Sequence, residues 1–232
     1  MKQNLTRKIL FVILFTIIGY ILLQFPFTKI MGSSQAFNGF DFFGPMSGGF
    51  LGAIPAAISV IAVRLFNTII HHQTFDMTNI IRLFPMAFAA IYFGIKSNNK
   101  FFRILVPAIC MILFWLNPEG RRAWFFALYW LIPIVCAFKS DRLILKSLGS
   151  TFTAHAVGSV AFLYAFNLPA SVWIALIPVV AVERGLFASG IWASYTVFNT
   201  GLNYLLSRKI NLSGLRISKR YSFNKDFFKK WA

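Results

Sequence analysis

Seven apolar stretches follow one another along a chain of 232 residues, with only short polar connections between them. A helix needs about 17–25 mostly apolar residues to cross a bilayer. The stretches Ile9 to Phe25, Met46 to Phe66, Ile80 to Ile95, Ile104 to Leu116, Trp124 to Phe138, Phe152 to Phe166 and Ser171 to Leu206 approach or exceed that length. Such a pattern predicts an all-α, polytopic transmembrane helical bundle over 1–206. Composition excludes the main alternative: 58% of the residues are apolar and 12% charged, about half the charge of an ordinary soluble domain. Lys2, Arg7 and Lys8 precede the first stretch as they would a signal peptide. The apolar run is long for one and only a weak Ser34-Gln35-Ala36 cleavage site follows, so an uncleaved first helix is expected.

Charge sets the expected orientation. The chain has 23 Lys and Arg against 6 Asp and Glu, and eight of the basic residues lie in the tail from Ser207. Basic loops stay on the cytoplasmic side, which places the N-terminus, the Lys139–Lys146 loop and the tail inside. The loop holding Lys96 and Lys100 falls inside when crossings are counted back from the tail, and outside when counted from the N-terminus. Six spans with both termini cytoplasmic, in the inner (plasma) membrane, reconcile most of this signal. They require a re-entrant or broken piece among the first three stretches, expected between Gly32 and Phe66 or in the Pro85-containing third. The last stretch, which contains Pro178, is either one long tilted helix or a broken pair. In the tail, 207–232, Phe223, Phe227 and Trp231 share one face if helical, which predicts either an amphipathic helix on anionic lipid or a disordered basic segment.

Polar residues inside apolar stretches are the candidate functional groups, because an unpaired charge there costs about 3 kcal/mol or more. Glu183 and Arg184 are the clearest. Neighbouring helical positions point about 100° apart, which predicts a separate partner for each: they face an internal cavity and bind substrate, or they pair at the interface or with another helix. His155 shares a face with Ser159 and Thr151; it contacts a substrate or moves a proton, or it is a buried histidine bonded to a neighbouring helix. Asp41 stands at the mouth of a pocket or serves turn chemistry. Trp115, Trp124, Trp130 and Trp173 suit interfacial positions, with cavity aromatics as the alternative, and Trp173 is included among the candidate ligand contacts. Two small-residue series at four-residue spacing, Gly44/Gly48/Gly52/Ala56 and Ala181/Gly185/Ser189/Ala193, predict close helix packing or docking of a partner subunit. Cys110 and Cys136 read as small buried hydrophobes. His71, His72 and Asp76 lack a metal-binding pattern, so neither metal nor cofactor is expected. Catalytic and nucleotide-binding motifs are absent from the sequence, so energy from ATP would have to come from other subunits.

The stretch Phe-Gly-Pro-x-x-Gly-x-x-x-Gly, Phe43 to Gly52, opening an early helix in a compact polytopic chain of this length, resembles the substrate-binding S components of energy-coupling-factor vitamin transporters. The resemblance implies a helical bundle with a pocket near the external face. It implies a small-molecule ligand carried inward, with a transmembrane coupling subunit and separate ATPases as partners. The basic residues themselves lie between apolar segments, which points to the lipid bilayer as partner and away from nucleic acid. Two other classes remain open: a membrane-embedded enzyme acting on a lipid through His155 and Glu183, and a membrane sensor or interaction module built on the small-residue series and the basic tail.

Overall fold

The structure is a computed structural model that describes residues 2–29, 36–96 and 98–223. Ten α-helices follow in order among these residues: α1 (Lys2–Leu23), α2 (Gly39–Leu51), α3 (Ala53–Ile70), α4 (Met77–Ile81), α5 (Phe84–Gly94), α6 (Phe101–Leu116), α7 (Pro118–Arg122), α8 (Leu131–Phe138), α9 (Leu143–Phe166) and α10 (Ala170–Ser207). Two short strands, β1 (Pro26–Lys29) and β2 (Ala36–Asn38), pair antiparallel between α1 and α2. The molecule is an all-α bundle. Helices α1, α3 and α10, and the α4–α5 unit, are long and apolar enough to cross a membrane by length and composition.

The stretch from Met46 to Phe66, expected to be one segment, is two. Gly52 adopts φ +89°, a left-handed conformation that costs glycine little and breaks the helix there. Its backbone N–H still closes α2 on Gly48 O, while its own carbonyl accepts the N–H of Ala56 to open α3. Asp41 near the start of α2 lies 3.6 Å from Arg64 near the end of α3, so the two helices run antiparallel as a hairpin. This reversal accounts for the conflict between the two crossing counts. The hairpin returns to the end of the bundle from which it started, and the Lys96–Lys100 loop then lies at the same end as the N-terminus. α2 is about 20 Å long, short of the roughly 30 Å of a hydrocarbon core; it is the half-length piece expected between Gly32 and Phe66.

Prolines place the other irregularities. Pro85, at the start of α5, lacks the N–H that would bond Ile81, and α4 gives way to α5 at Arg82–Leu83. Pro133 has the same effect on Tyr129, and a 3-10 helix, Trp124–Trp130, precedes α8. Pro178 is absorbed: α10 is a single helix of 38 residues.

The aromatic excess builds two cores. Around the hairpin, Phe15, Phe40, Phe43, Phe50, Val60 and Tyr195 are buried together. Between α6, the 3-10 helix, α9 and α10, Phe114, Phe126, Trp130, Phe152, Leu163 and Trp173 form the second. The first small-residue series is divided by the Gly52 turn. Gly44 meets Met86 and Gly48 meets the backbone of Ala90 and Gly94, so α2 and α5 touch closely; Ala56 is buried in α3. The second series, Ala181, Gly185, Ser189 and Ala193, is exposed along α10, and a Cβ at Gly185 would meet nothing within 4 Å. No helix of this chain covers it among the described residues.

From Arg208 to Phe223 the tail folds back over one end of the bundle as a strap, with a 3-10 turn at Lys219–Tyr221. The Arg216 N–H donates to Phe50 O at 2.8 Å and its guanidinium to Gly94 O at 3.0 Å. Asn199 and Asn203 on α10 donate to Ser218 O and Ser222 Oγ, and the Tyr221 hydroxyl donates to Asp141 O. Phe223 is not helical; Phe227 and Trp231 of the expected amphipathic face lie outside the described residues.

Candidate functional site

Away from the strap, charged residues from three helices, α2, α3 and α10, meet inside the bundle. Asn38 and Asp41 cap α2 reciprocally: the Asn38 side chain accepts the Asp41 N–H at 3.2 Å, and the Asp41 carboxylate accepts the Asn38 N–H at 3.1 Å. Asp41 therefore serves turn chemistry, and with its other oxygen it faces Arg64. On α10, Glu183 and Arg184 pair with each other at 2.6 Å, against the expectation of separate partners. The 100° between their Cα–Cβ directions is overcome by the length of the arginine, whose guanidinium swings back over the Phe187 ring at 4.3 Å and reaches Thr151 Oγ1 on α9 at 3.3 Å. The pairs share one neighbourhood, since Asp41 interacts electrostatically with Arg184 and Glu183 as well as with Arg64. Arg82, at the α4–α5 break, is close enough to Arg64 to repel it. Phe42 bridges α2 to α10 through Phe187, with centroids 5.9 Å apart.

His155 lies one helical turn beyond Thr151, on the side of the second aromatic core. Its Nδ1 accepts the Trp130 indole N–H at 3.1 Å. An indole nitrogen can only donate, so Nδ1 holds a lone pair and the neutral ring has its proton on Nε2, directed at Ser159 Oγ 3.4 Å away. A ring holding its proton toward the serine cannot draw one from it, so this arrangement does not activate Ser159 as a nucleophile. It presents a fixed polar edge among Phe126, Phe152 and Trp130. Trp173 stands apart from the charged residues: it is buried against Phe114 and Phe126, and its N–H donates to Leu168 O. Trp130 is fully buried and Trp124 is exposed, so only the latter suits an interfacial belt without qualification.

The structure thus brings together Asp41, Glu183, Arg184 and Thr151, sets His155 and Ser159 beside them, and leaves Trp173 in the aromatic core. Arg64 was not singled out from the sequence. The signal was there, as the lone charge in an otherwise apolar helix, the same reasoning that marks Arg184. An open groove of about 300 Å³ lies on the flank, lined by Phe125, Leu128, Tyr129, Ile132 and Ile177. Glu119 in α7 pairs with Arg122 and also accepts the Ala170 N–H at the start of α10. His71 bonds the Gln24 side chain, and Asp76 caps α4.

The chain is 26% identical, over an alignment of 212 residues, to an uncharacterized protein of Methanocaldococcus jannaschii, covering 83% of this chain and 71% of that protein. No family model matches the sequence, and no solved structure matches it.

Proposed function

We propose that this protein is a multi-pass cell-membrane subunit that binds a small molecule for uptake, similar in role to an S component, with ATP hydrolysis supplied by separate subunits. The observation that carries this reading is the group formed by Asp41, Arg64, Glu183 and Arg184, whose side chains are between 13% and 24% exposed in an otherwise apolar bundle. Charges in such a place are expensive and mark ligand pathways more often than scaffolding. They stand at the end of the bundle opposite the basic strap, which is the external end if basic segments remain inside and both termini are cytoplasmic. The uncovered small-residue series on α10 offers a smooth face for a coupling subunit. Against a lipid-directed acid/base reaction through His155 and Glu183, each side chain is already engaged, His155 by Trp130 and Glu183 by Arg184, which favours binding.

Gentle purification followed by native mass spectrometry tests this reading. The expected result is a bound metabolite, together with ATPase and coupling subunits when the membrane is extracted mildly. His155→Ala and Glu183→Gln proteins that fold normally should lose the metabolite. If both variants retain it in full, these residues do not form the site; product formation from a lipid by the purified protein alone would replace a carrier with an enzyme.

A further inference from the structure

The ligand class can be narrowed from the hydrogen-bonding state of the arginines, on the premise that the group just described is the binding site. Arg64 and Arg184 stand with two carboxylates, Asp41 and Glu183, and Arg82, close enough to Arg64 to repel it, brings a third positive charge against those two negative ones. Their donors are also unevenly used. Arg184 spends one nitrogen on Glu183 and one on Thr151, while its buried Nε has no partner. Arg64 is more open still. Its contact with Asp41, at 3.6 Å, is longer than a hydrogen bond, its buried Nε is unpartnered, and its remaining interaction is with the Phe40 ring at 5.2 Å. Arg82 is exposed, and while its backbone N–H donates to Thr78 O, its side chain makes no hydrogen bond among the described residues.

Unfilled guanidinium donors are not a stable end state in an apolar bundle. An unsatisfied buried charged donor costs more than the roughly 1–3 kcal/mol of a neutral one, and among the described residues no acceptor meets the Nε of Arg64 or of Arg184. Arg103 shows what a purely structural arginine looks like in the same molecule: fully buried, with its three nitrogens donating to Tyr92 O, Ile95 O and Ser140 Oγ. We infer that Arg64, with Arg82 and Arg184, receives a singly charged, two-oxygen anionic group, which supplies the missing charge and a forked acceptor for the open donors. A guanidinium is matched to such a group in shape as well as charge. Phe40, Phe42 and Phe187 beside the arginines suit a flat or apolar body attached to it. A carboxylate on a solute and the phosphodiester of a lipid headgroup both present this fork, and the experiment distinguishes them.

The test uses the full chain in neutral detergent, with benzoate as probe and benzamide, its uncharged counterpart of the same shape, as control. Isothermal titration should detect benzoate at least tenfold more tightly than benzamide. Arg64→Gln should weaken benzoate tenfold or more and Arg64→Lys less. Because the Arg82 side chain is exposed and makes no hydrogen bond among the described residues, Arg82→Gln should fold normally and weaken benzoate several-fold. A parallel arm measures thermal unfolding in nanodiscs of phosphatidylcholine with and without phosphatidylglycerol. Protection by phosphatidylglycerol that disappears in Arg82→Gln, with weak benzoate binding, assigns the anion to lipid; strong benzoate binding with no lipid effect assigns it to a solute. Equal binding of benzoate and benzamide with no lipid effect overturns the inference, as does unchanged binding in both Gln variants. A neutral metabolite bound equally by wild type and Arg82→Gln removes the anion while leaving uptake standing; phosphatidylglycerol binding without any solute removes uptake while leaving the anion.

Discussion

The arginines of this chain separate by what their nitrogens touch. Arg103 is held at the end of α5, where it satisfies the carbonyls of Tyr92 and Ile95 that the helix leaves open, and ties them to Ser140 beyond α8. Its removal leaves these acceptors buried without a donor, so Arg103→Ala should lower unfolding stability by about 3 kcal/mol, read from unfolding in detergent; a loss under 1 kcal/mol would assign the bonds a minor role. Arg64 and Arg184 have the opposite character, with open donors beside carboxylates. The sequence made Glu183, Arg184 and His155 visible because each breaks an apolar run. It did not reveal that adjacent Glu183 and Arg184 would pair, since helical phase describes Cβ directions and not the reach of a long side chain. Arg103 read as part of the basic loop before the stretch Ile104 to Leu116, yet it is buried in the first turn of α6; only the tertiary contacts tell its saturated guanidinium from the unsaturated one of Arg64.

At the scale of elements, the hairpin of α2 and α3 decides the architecture. Spacing at four residues placed Gly44, Gly48, Gly52 and Ala56 on one stripe, and the same spacing accommodates a reversal, because a period says nothing about where the helix stops. The sign was local: Gly52 stands three residues before Pro55, and proline is tolerated in the first turn of a helix where N–H groups are free. Within α2, Gly48 is the point of closest approach. A Cβ there would collide with the Ala90 carbonyl oxygen, backbone that cannot rotate away, whereas one at Gly185 would project into open space. Two identical substitutions should therefore differ in sign. Gly48→Ala should destabilise the protein by about 2 kcal/mol through overpacking, and Gly185→Ala should be neutral or stabilise by up to about 1 kcal/mol through helix propensity. Detergent unfolding of the two proteins checks this, and equal effects would mean that α2 and α5 do not meet as closely as described.

For the whole molecule, the two ends of the bundle differ in charge. One end gathers Arg7 against Ser213 of the strap, Arg103 against Ser140, and Arg216 against Gly94. The other presents Gln24, Asn67 and His71, bonded to one another between α1 and α3. The number of apolar stretches was legible in the sequence; their parity was not, since one stretch contained a turn. With the hairpin counted as returning to its own end, the Lys96–Lys100 and Lys139–Lys146 connections and the tail fall at the strap end, with the exposed Arg121-Arg122 pair of α7 at the other; the positive-inside rule then predicts a cytoplasmic strap end, which labelling tests. Cys110 and Cys136 are buried, so single introduced cysteines can report sidedness against a quiet background. Gln73, exposed between α3 and α4, and Lys209, exposed just beyond α10, lie at opposite ends. In intact cells, a membrane-impermeant maleimide should label Gln73→Cys at once and Lys209→Cys only after permeabilisation. Labelling of both from outside would place the ends on one side of the membrane and break the hairpin-based parity; the reverse pattern would keep the fold, invert the molecule, and move the arginine group to the cytoplasmic face.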